Sequence, residues 1–228
     1  MSLEISDMPA RTMATARKRG RPLDAAKRAA ILEAAGQLFL AQGYEGTSMD
    51  AVAAAAGVSK LTVYKRFAGK EALFAQVIRA KCDRMMDPFA IEQVQAADPR
   101  AGMMVVGRLF LDLILDPQAI AAHRLVLIEG PREPRLAQLF FENAVEQTVA
   151  KTAAFLDRHR QAGRLRFADA REAAAQFICL LKGNPHMVVM LGLRPLAEGE
   201  LEAHIATCVD LLLAAWRPET ATAQPAAR

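Results

Sequence analysis

From Asp24 to Trp216 the apolar residues recur at helical spacing, and the alternation expected of a strand is nearly absent. Alanine and leucine dominate, and both favour helix. A chain of this kind buries a core by packing helix on helix, so an all-α fold is predicted. Glycine, proline and capping residues divide it. Asp24 is a plausible N-cap of a first helix whose face is Ile31, Leu32, Ala35, Leu38 and Phe39, and Gly43 ends it. Thr47 or Ser48 caps a short second helix through Ala56, Gly57 breaks it, and Ser59 caps a third over Lys60–Phe67. Gly69 precedes a longer fourth helix, near Lys70–Phe89. Five more are predicted near 99–115, 118–129, 134–161, 169–192 and 197–216, separated by Asp-Pro (98–99 and 116–117), Gly-Pro (130–131), Gly163 and Pro195. An irregular turn is expected within 134–161, and a kink or break at Gly183-Asn184-Pro185. About nine helices result: a three-helix head, a linking fourth helix and a C-terminal helical bundle.

Several classes are excluded by simple counts. The chain has 228 residues, 53% hydrophobic and 24% charged, a globular composition. Its longest uncharged runs are 11 residues, Ala34–Tyr44 and Gly183–Leu193, short of the roughly 18 of a membrane span. The N-terminus lacks an apolar signal core. Cys82, Cys179 and Cys208 are scattered singly, so neither a disulfide framework nor a zinc site is expected, and a reducing cytoplasm fits best. Residues 1–90 carry 14 Lys and Arg against 9 Asp and Glu, whereas residues 91–228 carry 15 against 16. The positive charge therefore sits where a polyanion would bind.

Within that basic third, Met49–Phe67 reads as a helix-turn-helix. Val52 and Ala56 face inward, Ala53 is small enough for close packing, and Gly57 permits the positive φ of a tight turn. Val58 plugs the turn into the core, while Val63 and Phe67 hold the inner face of the next helix. Lys60, Thr62, Lys65 and Arg66 are left pointing outward, on a helix of the size a major groove accepts.

Phe39, Gly43-Tyr44, Thr47-Ser48, Val52-Ala53, Ala56-Gly57-Val58-Ser59-Lys60, Thr62-Val63-Tyr64, Phe67 and Lys70-Glu71-Ala72-Leu73-Phe74 together resemble the TetR family of bacterial transcriptional regulators. The resemblance covers about residues 27–75. It implies that Thr47 anchors a phosphate, that Lys60 and Thr62 contact bases or phosphates, and that Tyr64 and Lys65 contact the backbone. Lys70 would bind another phosphate at a helix N-terminus. Ser48 and Ser59 join this DNA-facing set. The alternatives are a packed aromatic for Tyr64 and a solvated lysine for Lys70. Leu61 departs from the small residue common at its position; it either shifts base preference or packs locally. The cluster Arg17-Lys18-Arg19-Gly20-Arg21-Pro22 ends a flexible arm over residues 1–22. Its arginines suit a narrow minor groove, or else the arm is a tail of non-specific charge.

The remaining chain shows no HExxH, P-loop, GxGxxG or GxSxG, and its four histidines stand alone, so no enzyme, metal or cofactor is expected. Met103, Met104, Val105, Val106, Leu109, Phe110, Leu113 and Ile114 make the fifth helix apolar on more than one face, hence central. Arg124–Glu129, Pro131–Pro134 and Ala162–Leu165 resemble the AefR-like branch of the same family. That implies an all-helical effector and dimerisation domain over about residues 76–217, after a head at 23–75 and before a disordered tail at 218–228. Met103, Gly107, Phe110 and Leu111 are candidate effector walls, with Phe141 and Val145 facing them and Arg108 and His123 as polar groups. Alternatively, Arg108 merely pairs with Asp112 one turn along. Asn184 and His186 either line a pocket or subunit contact, or follow a structural kink. Two apolar stripes, Phe177, Leu180, Leu181, Val188 and Leu191, then Ile205, Val209, Leu212 and Leu213, are candidates for a homodimer interface. The expected function is a dimeric repressor that binds a pseudo-palindromic operator and is released by a small molecule. The alternative is a helical architectural DNA-binding protein without effector control.

Overall fold

The computed structural model describes residues 21–86 and 98–218, and every regular element among them is a helix. Arg17, Lys18, Arg19 and the tail over 219–228 lie outside the described residues. The first helix, α1 (Arg21–Gly46), starts earlier than predicted. Arg21 and Pro22, assigned above to the arm, belong to its first turn, where a missing proline N–H costs nothing. Asp24 is accordingly not the N-cap; it sits inside that turn and pairs with Arg66. Gly43 (φ 75°, ψ 174°) breaks α1 as expected, a conformation that favours glycine.

Helix α2 (Met49–Ala55) starts at Ser48, whose Oγ accepts from the Ala51 N–H at 3.1 Å, and α3 (Lys60–Arg66) starts at Ser59, whose Oγ accepts from the Thr62 N–H at 3.2 Å. Gly57 turns between them with φ 64°. After Gly69 comes α4 (Lys70–Met85), which ends short of the predicted Phe89. The two Asp-Pro pairs start α5 (Pro99–Leu115) and α6 (Pro117–Glu129), with Asp98 and Asp116 each accepting two backbone N–H groups. The long helix α7 runs as Pro134–Phe140, a π-helical turn over Phe141–Val145, then Glu146–Gln161. The irregular turn expected there is thus a π-bulge. Helices α8 (Ala170–Met190) and α9 (Glu200–Ala215) complete the described bundle.

Helix α5 is central, packed against α4, α6, α8 and α9, with Met103 and Leu111 fully buried. The head joins the body through α1 and α4, which share an aromatic cluster. Phe39 stacks on Tyr44 at 5.8 Å between centroids, and Phe74 meets both edge-on at 5.2 and 5.5 Å. Helix α8 breaks at Gly183 (φ 21°, ψ −145°), just before Pro185. Proline has no N–H to return to the Leu181 carbonyl, and α9 makes up the loss: His204 Nε2 donates to that carbonyl at 2.9 Å.

The predicted dimer stripes need correction. Phe177, Leu181, Val188, Ile205 and Val209 are buried within this one chain, and Leu212 and Leu213 are half-buried, leaving Leu180 and Leu191 exposed. Spacing reports an apolar stripe but not whether it meets its own chain or a second copy.

Candidate nucleic-acid interface and internal cavity

One face of α3 packs on the head through Val63, fully buried, followed by Phe67. Lys60, Leu61, Tyr64 and Lys65 are exposed around the helix. Tyr64 is 54% exposed, so it is not a packed aromatic, and Leu61 at 62% does not pack locally. Lys60 pairs with Asp50 of α2, which raises the pKa of its ammonium above the usual value. Thr62 is half-buried, its hydroxyl 2.8 Å from that of Ser59. Ser48 stays exposed at the start of α2.

Thr47 and Arg66 behave differently from the expectation. Thr47 is 3% exposed, and its hydroxyl donates to the Gly43 carbonyl at 2.8 Å, so it braces the α1–α2 turn. Arg66 turns back to Asp24 instead of outward. Lys70, at the start of α4, lies 4.5 Å from the centroid of the Tyr44 ring and 3.4 Å from the Glu45 carbonyl oxygen. Burial pushes the Tyr44 phenol up to about 12, helped by neighbouring glutamates. Helical spacing gives Arg66 an outward face, whereas its side chain reaches back to Asp24 of α1; Thr47, placed by the resemblance, is held by the Gly43 carbonyl four residues back.

A cavity of about 790 Å³ lies between the head helices α1 and α4 and the body helices α5, α6, α7 and α8. That is within the size range of small-molecule sites. Of the predicted effector residues, Phe110, His123 and Val145 line it. Met103 and Leu111 belong to the closed core. Gly107 faces α8 and α9: a Cβ there would lie 2.9 Å from Ile205 Cγ2 and 3.4 Å from Leu181 Cδ2. Arg108 is exposed and pairs with Asp112 and Glu202, so its ion-pair alternative holds. Phe141 is 52% exposed. Because α5 is apolar on several faces, periodicity could not say which one met a void; it is the face of Phe110, Leu113 and Ile114. The π-bulge brings Ala144 and Val145 to the wall, a common use of such turns.

Wall residues that neither helical spacing nor the resemblance singled out are Gly36, Val77, Ala122 and Lys182. For Lys182 a signal existed: it is the lone charge between Glu172 and Arg194. His123 stands 5.0 Å from the Phe140 ring and 5.4 Å from that of His186. Burial, with the nearby Lys182 charge, pulls both imidazoles down to about 4. His186 is buried and its Nε2 has no hydrogen-bond partner among the described residues, whereas Asn184 is exposed.

Also missed was Glu129, the last residue of α6. Its carboxylate accepts from the Tyr44 N–H at 3.1 Å and sits where a Gly43 Cβ would be, 2.5 Å from Oε1. The helix that walls the cavity through Ala122 and His123 thereby holds the turn that leads into α2.

Comparison with known proteins agrees with this arrangement. Residues 31–77 match the family described as bacterial regulatory proteins, tetR family, and residues 101–218 match the AefR-like transcriptional repressor C-terminal domain. A TetR-family transcriptional regulator from Mesorhizobium loti MAFF303099 superposes with a TM-score of 0.72 at 29% identity, covering 85% of this chain and 98% of that one. The flavonoid-responsive regulator FrrA does so with a TM-score of 0.70 at 38% identity, with the same coverage of 85% and 98%. The HTH-type transcriptional regulator RutR of Escherichia coli (strain K12) is 35% identical over 117 residues, 51% of this chain and 54% of that protein. YdeS of Bacillus subtilis (strain 168), another HTH-type regulator, is 38% identical over 79 residues, 34% of this chain and 40% of that protein. The chain thus matches about half or less of the length of these two relatives.

Proposed function

Because the chain belongs to the TetR family of bacterial transcriptional regulators, we propose that it is a dimeric, ligand-responsive repressor whose operator affinity falls when the cavity fills. The observation that carries this is the cavity's position between head and body. A ligand there touches α1 and α4, and α6 relays its presence to the Gly43–Tyr44 turn. The ligand favours a head separation that no longer suits two successive major grooves, a population shift by differential affinity. FrrA, similar over nearly its whole length, is flavonoid-responsive, which supports effector control here. A large, mostly apolar void between head and body favours ligand control over the alternative of an architectural DNA-binding protein. The regulator would act in the cytoplasm, where the DNA is. No helix among the described residues is long and apolar enough to cross a membrane.

On the DNA, Lys60, Leu61, Thr62, Tyr64 and Lys65 of α3 meet the major groove. Asp50 yields Lys60 to bases or phosphates, and Leu61 offers an apolar contact to a thymine methyl. Ser48, Ser59 and Lys70 hold backbone phosphates from helix starts. The test is a footprint on DNA flanking the gene, followed by titration of the protected site. Lys60→Ala and Thr62→Ala should each weaken specific binding by about 1–3 kcal/mol, and Lys65→Ala should weaken all sequences alike and lower the salt slope by about one. Unchanged operator affinity in both Lys60→Ala and Thr62→Ala would rule out α3 as the reading helix.

A further inference from the structure

The charged groups around the cavity are unevenly signed. Arg28, Lys81, Arg84 and Lys182 stand on its wall against Glu33 alone. Lys81 is taken by Asp116 at 2.8 Å, and Arg28 by the Gln76 amide oxygen at 2.6 Å. Arg84 is exposed to solvent, whereas Lys182 is held partly out of it. That lysine is half-buried on α8, beside the break at Gly183, and has no hydrogen bond or ion pair among the described residues. A cation drawn partly out of water without a counter-charge is unfavourable unless something supplies one. Close by, His123 lines the cavity, and His186 behind it keeps a buried nitrogen without a partner. The rest of the wall is overwhelmingly aliphatic and aromatic: Leu32, Phe39, Phe74, Val77, Phe110 and Ile114.

We propose that the cavity takes an amphipathic organic anion, with its apolar body against α1, α4 and α5 and its acidic group at Lys182 and His123. This rests on the ligand-control reading and names the chemical class of the ligand. Lys182 supplies the charge. His123, neutral around pH 7, supplies a hydrogen bond without adding a second positive charge to the site. The apolar walls supply affinity but little selection among bodies of similar size.

The full-length protein can be titrated with two fluorescent probes that share one apolar body: 8-anilinonaphthalene-1-sulfonate and its uncharged counterpart N-phenyl-1-naphthylamine. The sulfonate should bind at least about tenfold more tightly. In Lys182→Met the two probes should come within about threefold of each other, through loss of the sulfonate alone. Lys182→Arg should keep the preference, which a purely steric role for the side chain would not predict. Should Lys182→Met not fold, His123→Leu serves instead and should narrow the preference. Equal binding of both probes to the parent protein, or a preference that survives Lys182→Met, overturns the anion assignment. If such probes still release operator DNA, ligand control stands without it. Anion-selective binding that leaves DNA affinity unchanged supports the assignment and overturns ligand control. Failure of both probes to bind overturns both.

Discussion

At Gly107 a single hydrogen atom sets how closely α5 approaches α9. Replacing it by methyl puts the new carbon 2.9 Å from Ile205 Cγ2, closer than buried side chains settle, and 3.4 Å from Leu181 Cδ2. Gly107→Ala should therefore destabilise the fold by about 1–3 kcal/mol, read as a lower urea midpoint at unchanged slope, while ligand response persists. A variant with a smaller cavity response instead would place α5 the other way round. Residue-level roles were legible where they are local. Ser48 and Ser59 cap their own helices, and Gly57 turns its own loop. Thr47 is an exception: its hydroxyl donates to the Gly43 carbonyl only four residues back, whereas the resemblance gives it to a phosphate.

Among the elements, α6 has two attachments: its middle forms part of the cavity wall and its end holds Tyr44. If that end transmits ligand binding, Glu129→Ala should leave the affinity of the cavity for its ligand unchanged. The ligand's effect on operator affinity should shrink at least about fivefold. Glu129→Gln, which keeps an oxygen for the Tyr44 N–H, should behave like the parent. Full release by ligand in Glu129→Ala, measured by fluorescence anisotropy of labelled operator, would leave α1 and α4 as the connection. Helices α8 and α9 are tied in a comparable way, since His204 satisfies the carbonyl that Pro185 leaves free. The break in α8 was readable from Gly183 and Pro185. The residue that seals it was not, because it comes from the following helix.

For the molecule as a whole, exposed apolar side chains on α8 and α9 stand where a second copy would be expected. Leu180, Met187, Leu191 and Leu211 are all at least 37% exposed. Paired substitutions Met187→Glu and Leu191→Glu should give a folded monomer by sedimentation at micromolar concentration. Val209→Glu, buried in the single chain, should unfold it instead. Stability should also depend on pH in a definite sense. His123 and His186 titrate near 4 when folded, chiefly because they are buried, against an ordinary value of 6.5. Between those values the unfolded chain binds more protons, so stability falls as pH drops from about 6.5 toward 4. His159, also lowered by burial, adds in the same direction. Thermal midpoints measured from pH 7.5 to 4.5 should show this decline, and His186→Leu should flatten it. An equal decline in the variant would assign the effect to other groups.

The all-α class, the starts and stops of most helices and the helix-turn-helix are legible in the amino-acid order itself, because each depends on contacts within about five residues: capping oxygens, a glycine turn, a proline without an N–H. The start of α1 is an exception, because Asp24 has the composition of a cap but pairs across to α3. Which stripe of an apolar helix faces core, void or partner is settled by tertiary packing alone. Periodicity records that α5 avoids water on several sides, yet the side next to the cavity is chosen by where α1, α4 and α7 stop short of it. The same holds for Phe177 and Val209, whose stripes are filled from within the chain. Burial follows from distances between elements far apart in sequence, and no local pattern encodes those distances.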